Sequence, residues 1–206
     1  MSQKIRLHGF KKSGHSHRVE LFLNLAKIDY EFVAVDLGSG EHKREPFLSL
    51  NPFGQVPVIE DGDLAVSDSN AILVYLAKAY ASAFLPDDPK SAAEVQKFLT
   101  LAAGEIAFGP AAARLITVFG APLDPARTQQ VADKVFAKLE AHLEGRGFLV
   151  GDAPTIADVA IYSYTAHAPE GNVSLEPYPN IRALLKRIEA LDGFVPMPET
   201  KAGLVA

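Results

Sequence analysis

Residues 13–19, Ser13-Gly14-His15-Ser16-His17-Arg18-Val19, put small hydroxyls where a strand signal gives way to a helix signal. Unpaired N–H groups and the positive end of the helix dipole meet at such a point, which favours an anion. A plain helix N-cap by Ser13 or Ser16 accounts for the segment equally well. A second segment is Asn51-Pro52-Phe53-Gly54-Gln55-Val56-Pro57-Val58. Pro57 heads a strand after an extended pair and is a candidate cis peptide, which would turn the Val56 backbone outward to pair with an extended peptide. A simple turn with Pro57 marking the strand start is the plainer reading. In Val66-Ser67-Asp68-Ser69-Asn70-Ala71-Ile72, Asp68 and Ser69 open a helix after a hairpin. Any helix favours such caps. A carboxylate, a hydroxyl and free N–H groups are also what a zwitterionic α-amino acid needs. His42 and Lys43 add positive or titratable groups nearby in sequence, and by themselves read as surface charge.

The elements that must hold these residues follow from periodicity. Residues 4–8 alternate as a strand, and 16–26 carry Val19, Leu21, Phe22 and Leu25 at helical spacing. Residues 30–35 read as a second strand. Residues 58–60 and 64–66 flank Asp61-Gly62-Asp63, a hairpin signal, and 68–80 form an apolar-faced helix. The order is β-α-β-(irregular)-β-β-α, a small mixed sheet with helices on its faces. The polar, two-proline stretch 82–90 reads as a linker between a first domain (1–81) and a second (91–206). The second domain is helical throughout, with long helices expected at 91–115 and 124–144, a shorter one from Thr155, and another at about 180–191.

Composition narrows the chemistry. A formal net charge of -5 with mixed signs argues against a nucleic-acid binder. No cysteine is present, which removes disulfides, thiolate metal sites and cysteine nucleophiles; no metal is expected. Any thiol chemistry must use a thiol that arrives with a ligand. No apolar run is read as long enough to span a bilayer, and Met-Ser-Gln-Lys-Ile-Arg lacks the apolar core of a signal peptide, so the cytoplasm is expected and a membrane partner is not.

Taken together, Ser-x-x-Ser-x-Arg-Val, His-Lys-x-x-Pro-Phe-Leu-x-Leu-Asn-Pro-Phe-Gly-Gln-Val-Pro and Asp-Ser-x-Ala-Ile-x-x-Tyr-Leu resemble the cytosolic glutathione transferase family. Gly151-Asp152-Ala153-Pro154-Thr155-Ile156-Ala157-Asp158 resembles that family's helical-domain signature; it looks like a capping box with Asp158 in place of the usual Glu or Gln. The resemblance covers nearly the whole chain. It implies a thioredoxin-like domain (β-α-β-α-β-β-α) followed by an all-helical domain. It also implies glutathione as co-substrate, in a detoxifying transferase that attacks an apolar electrophile with the glutathione thiolate. By this resemblance Ser13 faces the sulfur, and Val56, before Pro57, pairs with the cysteinyl part. Asp68 and Ser69 hold the γ-glutamyl end, and His42, Lys43 and Gln55 meet the glycyl carboxylate. Asp68 is one methylene shorter than the glutamate of many relatives. Ser13 and Ser16 stand where a thioredoxin-fold redox protein has its Cys-x-x-Cys pair, so dithiol exchange by the protein is impossible. Phe10, Phe108, Ala112, Phe119 and Tyr164 are candidates for the second-substrate pocket, each also readable as core. A homodimer is implied, with Phe53 as an anchor. A glutathione-dependent peroxidase or isomerase, or a non-catalytic binding member of the fold, are the alternatives.

Overall fold

The computed structural model describes residues 4–206; the first three residues, which begin the N-terminal stretch and the first domain as read above, lie outside it. The chain forms two compact units, Met1–Ser82 with Asp192–Pro198, and Ala83–Leu191 with Glu199–Ala206.

The first unit holds a four-stranded sheet in the order β2-β1-β3-β4. Strand β1 (Ile5–Gly9) lies parallel to β2 (Tyr30–Ala34) and antiparallel to β3 (Val58–Asp61), which pairs antiparallel with β4 (Leu64–Ser67). Leu7 opposite Ile59 puts two fully buried side chains at the centre. The β3–β4 turn closes on the Asp61–Leu64 pair, with Gly62 at φ +60 supplying the left-handed position that the tight reversal needs. Helix α1 (Gly14–Leu25) buries Val19, Leu21, Phe22, Leu23 and Leu25, and α3 (Ser69–Tyr80) buries Ile72, Leu73, Leu76 and Ala77. The irregular segment between β2 and β3 contains a 3₁₀ turn at Glu41–Lys43 and a single-turn helix α2 (Phe47–Leu50). Residues 192–198 return to this unit as a strap: His17 on α1 donates through Nε2 to the Val195 carbonyl at 2.9 Å.

The second unit is helical. Helices α4 (Pro89–Leu101) and α6 (Pro125–His142) both begin with an Asp N-cap followed by proline. That pairing suits a helix start, because the first-turn N–H that proline lacks has no intrahelical partner. The single helix expected at 91–115 is instead a run in which α4 passes through a wide π-wound stretch, Ala102–Ala111, into α5 (Ala112–Phe119). Pro110 lies inside that stretch and has no N–H for a helical ladder. At Gly109 the stretch presses on α6, where a Cβ would lie 2.8 Å from the Ala132 nitrogen. Gly120, at φ +67, ends α5. The continuous helical run Pro89–Phe119 is long and apolar enough to cross a membrane by length and composition, contrary to the sequence expectation. Its apolar stretch is 44% buried within the protein, against neighbours that include α6 and α7. Helix α7 (Ile156–Ala166) is the centre of this unit, buried at every position from Ile156 to Thr165. Helix α8 (Pro179–Glu189) turns Ile181, Leu184, Leu185 and Ile188 inward.

Candidate active site

Strand direction decides where the polar residues gather. Since β3 runs against β1 and β4 against β3, the C-terminal ends of β1, β2 and β4 share one edge of the sheet with the N-terminal end of β3. That edge receives the turn leading to Ser13, the Val56-Pro57 pair ahead of β3, and Asp68-Ser69 just after β4. The Glu41–Lys43 turn reaches it by contact: Lys43 Nζ donates to the Gly54 carbonyl at 2.8 Å, and a Cβ at Gly54 would lie 2.7 Å from the His42 carbonyl oxygen.

Ser13 caps α1. Its Oγ accepts from the Ser16 N–H at 3.3 Å, and its own O–H has no acceptor among the described residues. Ser16 is fully buried, and its Oγ accepts from the Phe10 N–H at 3.1 Å. The two serines are thereby separated: Ser16 ties the turn together, and Ser13 presents its hydroxyl at the helix N-terminus.

Val56–Pro57 is cis, as the sequence suggested, and so is Glu45–Pro46. The Val56 N–H and C=O make no turn, loop or cap hydrogen bond among the described residues. Asn51, which is buried, braces this loop by donating to the Gln55 carbonyl at 2.8 Å and accepting from the Phe53 N–H at 3.1 Å. The Gln55 side chain is exposed. His42 is half-buried, and its Nδ1 is shielded from solvent without a partner.

Asp68 is exposed and caps α3, one carboxylate oxygen accepting from Asn70 and Ala71 N–H groups at 2.9 Å each. Its φ of +70 is left-handed, uncommon for a residue with a side chain. Ser69 is buried and hydrogen-bonded. Arg18, itself buried, donates from one terminal nitrogen to Ser69 Oγ at 2.7 Å and Asn70 Oδ1 at 3.0 Å. His15 Nδ1 lies 3.3 Å from Ser69 Oγ. Burial, together with the Arg18 charge, pushes the His15 pKa down to about 3, so its ring is neutral and Nδ1 can accept. Arg18 and Asn51 are the two residues that sequence patterning passes over. Arg18 had a signal: it falls at helical spacing from the apolar Leu21, Phe22 and Leu25.

The second-substrate candidates separate by environment. Phe108 and Ala112 line a cavity of about 500 Å³ in the helical unit, together with Gly104, Leu123 and Val131 and a polar rim that includes Arg127. Phe108 is 70% exposed, unusual for so large an apolar side chain. Phe119 is also exposed, whereas Tyr164 is buried on α7; neither lines this cavity. Phe10, in the first unit, is partly buried.

Residues 3–78 match the family model for the glutathione S-transferase N-terminal domain, and residues 122–192 match that for the C-terminal domain. The chain is 36% identical over 167 residues to glutathione S-transferase PARB of Nicotiana tabacum, covering 75% of this chain and 78% of that protein. It is 32% identical over 214 residues to a maleylpyruvate isomerase of a Ralstonia species, covering 92% and 94%. A crystal structure of a glutathione S-transferase from Pseudomonas fluorescens superposes with a TM-score of 0.90 at 32% identity, covering 96% of this chain and all of the other. With a thioredoxin-like sheet unit, a helical unit and relatives that span both, the chain belongs to the glutathione S-transferase family.

Proposed function

We propose that this protein conjugates glutathione to apolar electrophiles, with Ser13 donating a hydrogen bond to the sulfur and holding it as thiolate. The observation that carries this reading is the unused Ser13 O–H at the N-terminus of α1, beside a Ser16 whose oxygen is already engaged. A free thiol titrates near pH 8.5, so only a few per cent is thiolate at neutral pH. A hydrogen bond to a charged acceptor contributes about 1.5–3 kcal/mol, and one pKa unit corresponds to about 1.36 kcal/mol. One hydroxyl thus lowers the thiol pKa by about one to two units, with the helix dipole adding to it.

The remaining roles follow the edge of the sheet. The free Val56 N–H and C=O suit the cysteinyl backbone, and the uncommitted Asp68 oxygen suits the γ-glutamyl ammonium. Ser69 and its N–H suit the α-carboxylate. The orphaned His42 Nδ1, with Lys43 and Gln55, suits the glycyl carboxylate. Phe108 and Ala112, on the wall of the cavity in the helical unit, would receive the electrophile. The cytoplasm, where a reduced glutathione pool is maintained, is the compartment this reading calls for.

Conjugation of a chromogenic aryl halide, followed alongside the ultraviolet absorbance of bound thiolate, tests the proposal. Turnover with a thiolate signal that Ser13→Ala abolishes is expected; an unchanged signal in Ser13→Ala would reject Ser13. The likeness to a maleylpyruvate isomerase over nearly the full chain favours one second reading, isomerisation of a small unsaturated acid by the same thiolate. A panel pairing such acids with aryl halides ranks the two.

A further inference from the structure

Arg18 is one of the largest fully buried side chains, yet it carries a permanent charge. Such a group is costly to bury unless its N–H donors are met by well-placed acceptors. Here the hydrogen bonds to side chains are made by one terminal nitrogen, and its acceptors sit on two elements. One terminal nitrogen of Arg18, on α1, reaches Ser69 Oγ at 2.7 Å and Asn70 Oδ1 at 3.0 Å at the start of α3, and His15 Nδ1, one turn back on α1, at 3.4 Å. A terminal guanidinium nitrogen has two N–H groups, so the two short contacts take both. His15 Nδ1 is then left to accept the Ser69 hydroxyl proton across 3.3 Å. Ser69 Oγ thus receives a hydrogen bond from a cation while donating its own. A hydroxyl that accepts from a cation is polarised into a stronger donor, and its rotamer is fixed.

We propose that Arg18 is a positioning residue for glutathione. It orients and polarises the Ser69 hydroxyl, so that Ser69 meets the α-carboxylate of the γ-glutamyl group as a preset, strengthened donor. When the carboxylate arrives, the Ser69 O–H turns from His15 to the ligand, while Arg18 keeps Ser69 Oγ and Asn70 in place. Arg18 never touches the ligand in this scheme. Its buried charge also lies where two helix N-termini, those of α1 and α3, come together around an anionic ligand, reinforcing both dipoles. This inference rests on the glutathione reading given above.

A double-mutant cycle on the full-length protein tests it, with glutathione affinity by calorimetry and steady-state kinetics as readouts. Arg18→Met, close in length and uncharged, should raise the Kd and KM for glutathione about tenfold, with kcat at saturation changed less than about twofold. Arg18→Lys keeps the charge but cannot hold two acceptors in a fork, and should fall between wild type and Arg18→Met. In a Ser69→Ala background, Arg18→Met should change Kd by less than about twofold, because the group it acts through is gone. Equal effects of Arg18→Met in both backgrounds would overturn the proposal, as would a folded Arg18→Met variant that binds glutathione like wild type. If Arg18→Met does not fold, the same cycle with Arg18→Lys decides on the same criteria. Absence of glutathione binding by the wild type would instead overturn the functional reading itself.

Discussion

Ser13 and Ser16 carry the same hydroxyl three residues apart, and their surroundings give them opposite work. Replacing Ser16 by Ala leaves the Phe10 N–H without its acceptor, at a cost of about 1–3 kcal/mol. Ser16→Ala should therefore lower the melting temperature with the thiol pKa of bound glutathione largely kept. Ser13→Ala should do the reverse. Turnover falls about tenfold or more at neutral pH, and part of it returns as pH rises towards 8.5 and the thiol ionises unaided. A pH–rate profile of the two variants checks both statements, and a flat profile for Ser13→Ala would count against the donor role. Asp68 allows a similar separation. Asn at this position keeps an oxygen to cap Asn70 and Ala71 but loses the charge. Asp68→Asn should melt near wild type and show a raised KM for glutathione, whereas Asp68→Ala should lose on both counts. An unchanged KM in Asp68→Asn would return Asp68 to capping alone. Ser13 and Asp68 were visible in the sequence as helix caps, because capping leaves a local signature. The link between α1 and α3 through Arg18 spans 51 positions to Ser69, and no local pattern encodes it.

At the scale of elements, the start of α7 carries a full capping box. Asp158 is fully buried; its two oxygens accept from the Leu149 N–H at 2.8 Å, the Thr155 N–H at 2.8 Å and the Thr155 hydroxyl at 3.1 Å. The Thr155 hydroxyl in turn accepts from the Ala157 N–H. Burial raises the Asp158 pKa, opposed by these donors. Asp158→Ala removes a cap and strands two buried N–H groups, so a loss of about 2–4 kcal/mol is expected. Asp158→Asn should be destabilising too, since one amide NH₂ would face a donor. Thermal melts that left either variant at the wild-type midpoint would contradict the box's structural role. The capping box, the Asp-Pro helix starts and the Asp-Gly-Asp hairpin were legible because each is written in adjacent residues. The π-wound stretch was not. Gly104, Gly109 and Pro110 weaken an ordinary helix there without naming its winding, which goes with the close approach of Gly109 to α6, a contact between distant residues. Helix α2, four residues long, is too short for periodicity to register.

For the whole molecule, the exposed Phe53 is the first question. Phe53 is 79% exposed in the turn after Asn51, its backbone held there by the Asn51 side chain accepting its N–H. We propose that it anchors a homodimer, since a large exposed aromatic fixed on a braced turn is costly unless a second copy covers it. Light scattering at micromolar concentration should give twice the chain mass, and Phe53→Ala should shift the balance towards monomer; a wild-type monomer would refute the anchor. In the second unit, buried Glu170 accepts from Arg114 Nε at 2.6 Å, His167 Nδ1 at 2.7 Å and the Thr200 N–H at 2.9 Å, fastening the C-terminal tail. Burial pushes its pKa up, and these partners outweigh that, so its carboxyl sits below the ordinary range. A carboxyl depressed in the fold contributes stability above its unfolded pKa, near 4.3, and loses it as pH falls through the folded value. Glu170→Gln should cost about 3 kcal/mol or more at pH 7, and the gap to wild type should narrow below about pH 4. A gap that stayed constant down to pH 3 would speak against that linkage.

The strap formed by residues 192–198 sets an order of events during synthesis. Every residue proposed to hold glutathione is synthesised by position 69, yet the Val195 carbonyl that satisfies buried His17 arrives more than a hundred residues later. Gly193 also packs on the end of α1, close enough that a Cβ there would lie 2.5 Å from the Asn24 carbonyl oxygen. A nascent chain therefore holds the residues proposed to meet glutathione while one side of α1 is still open. A fragment ending at residue 82 would stay in that condition, with exchange-labile amides along α1 and ready cleavage by protease, until a peptide spanning 192–198 was supplied in trans.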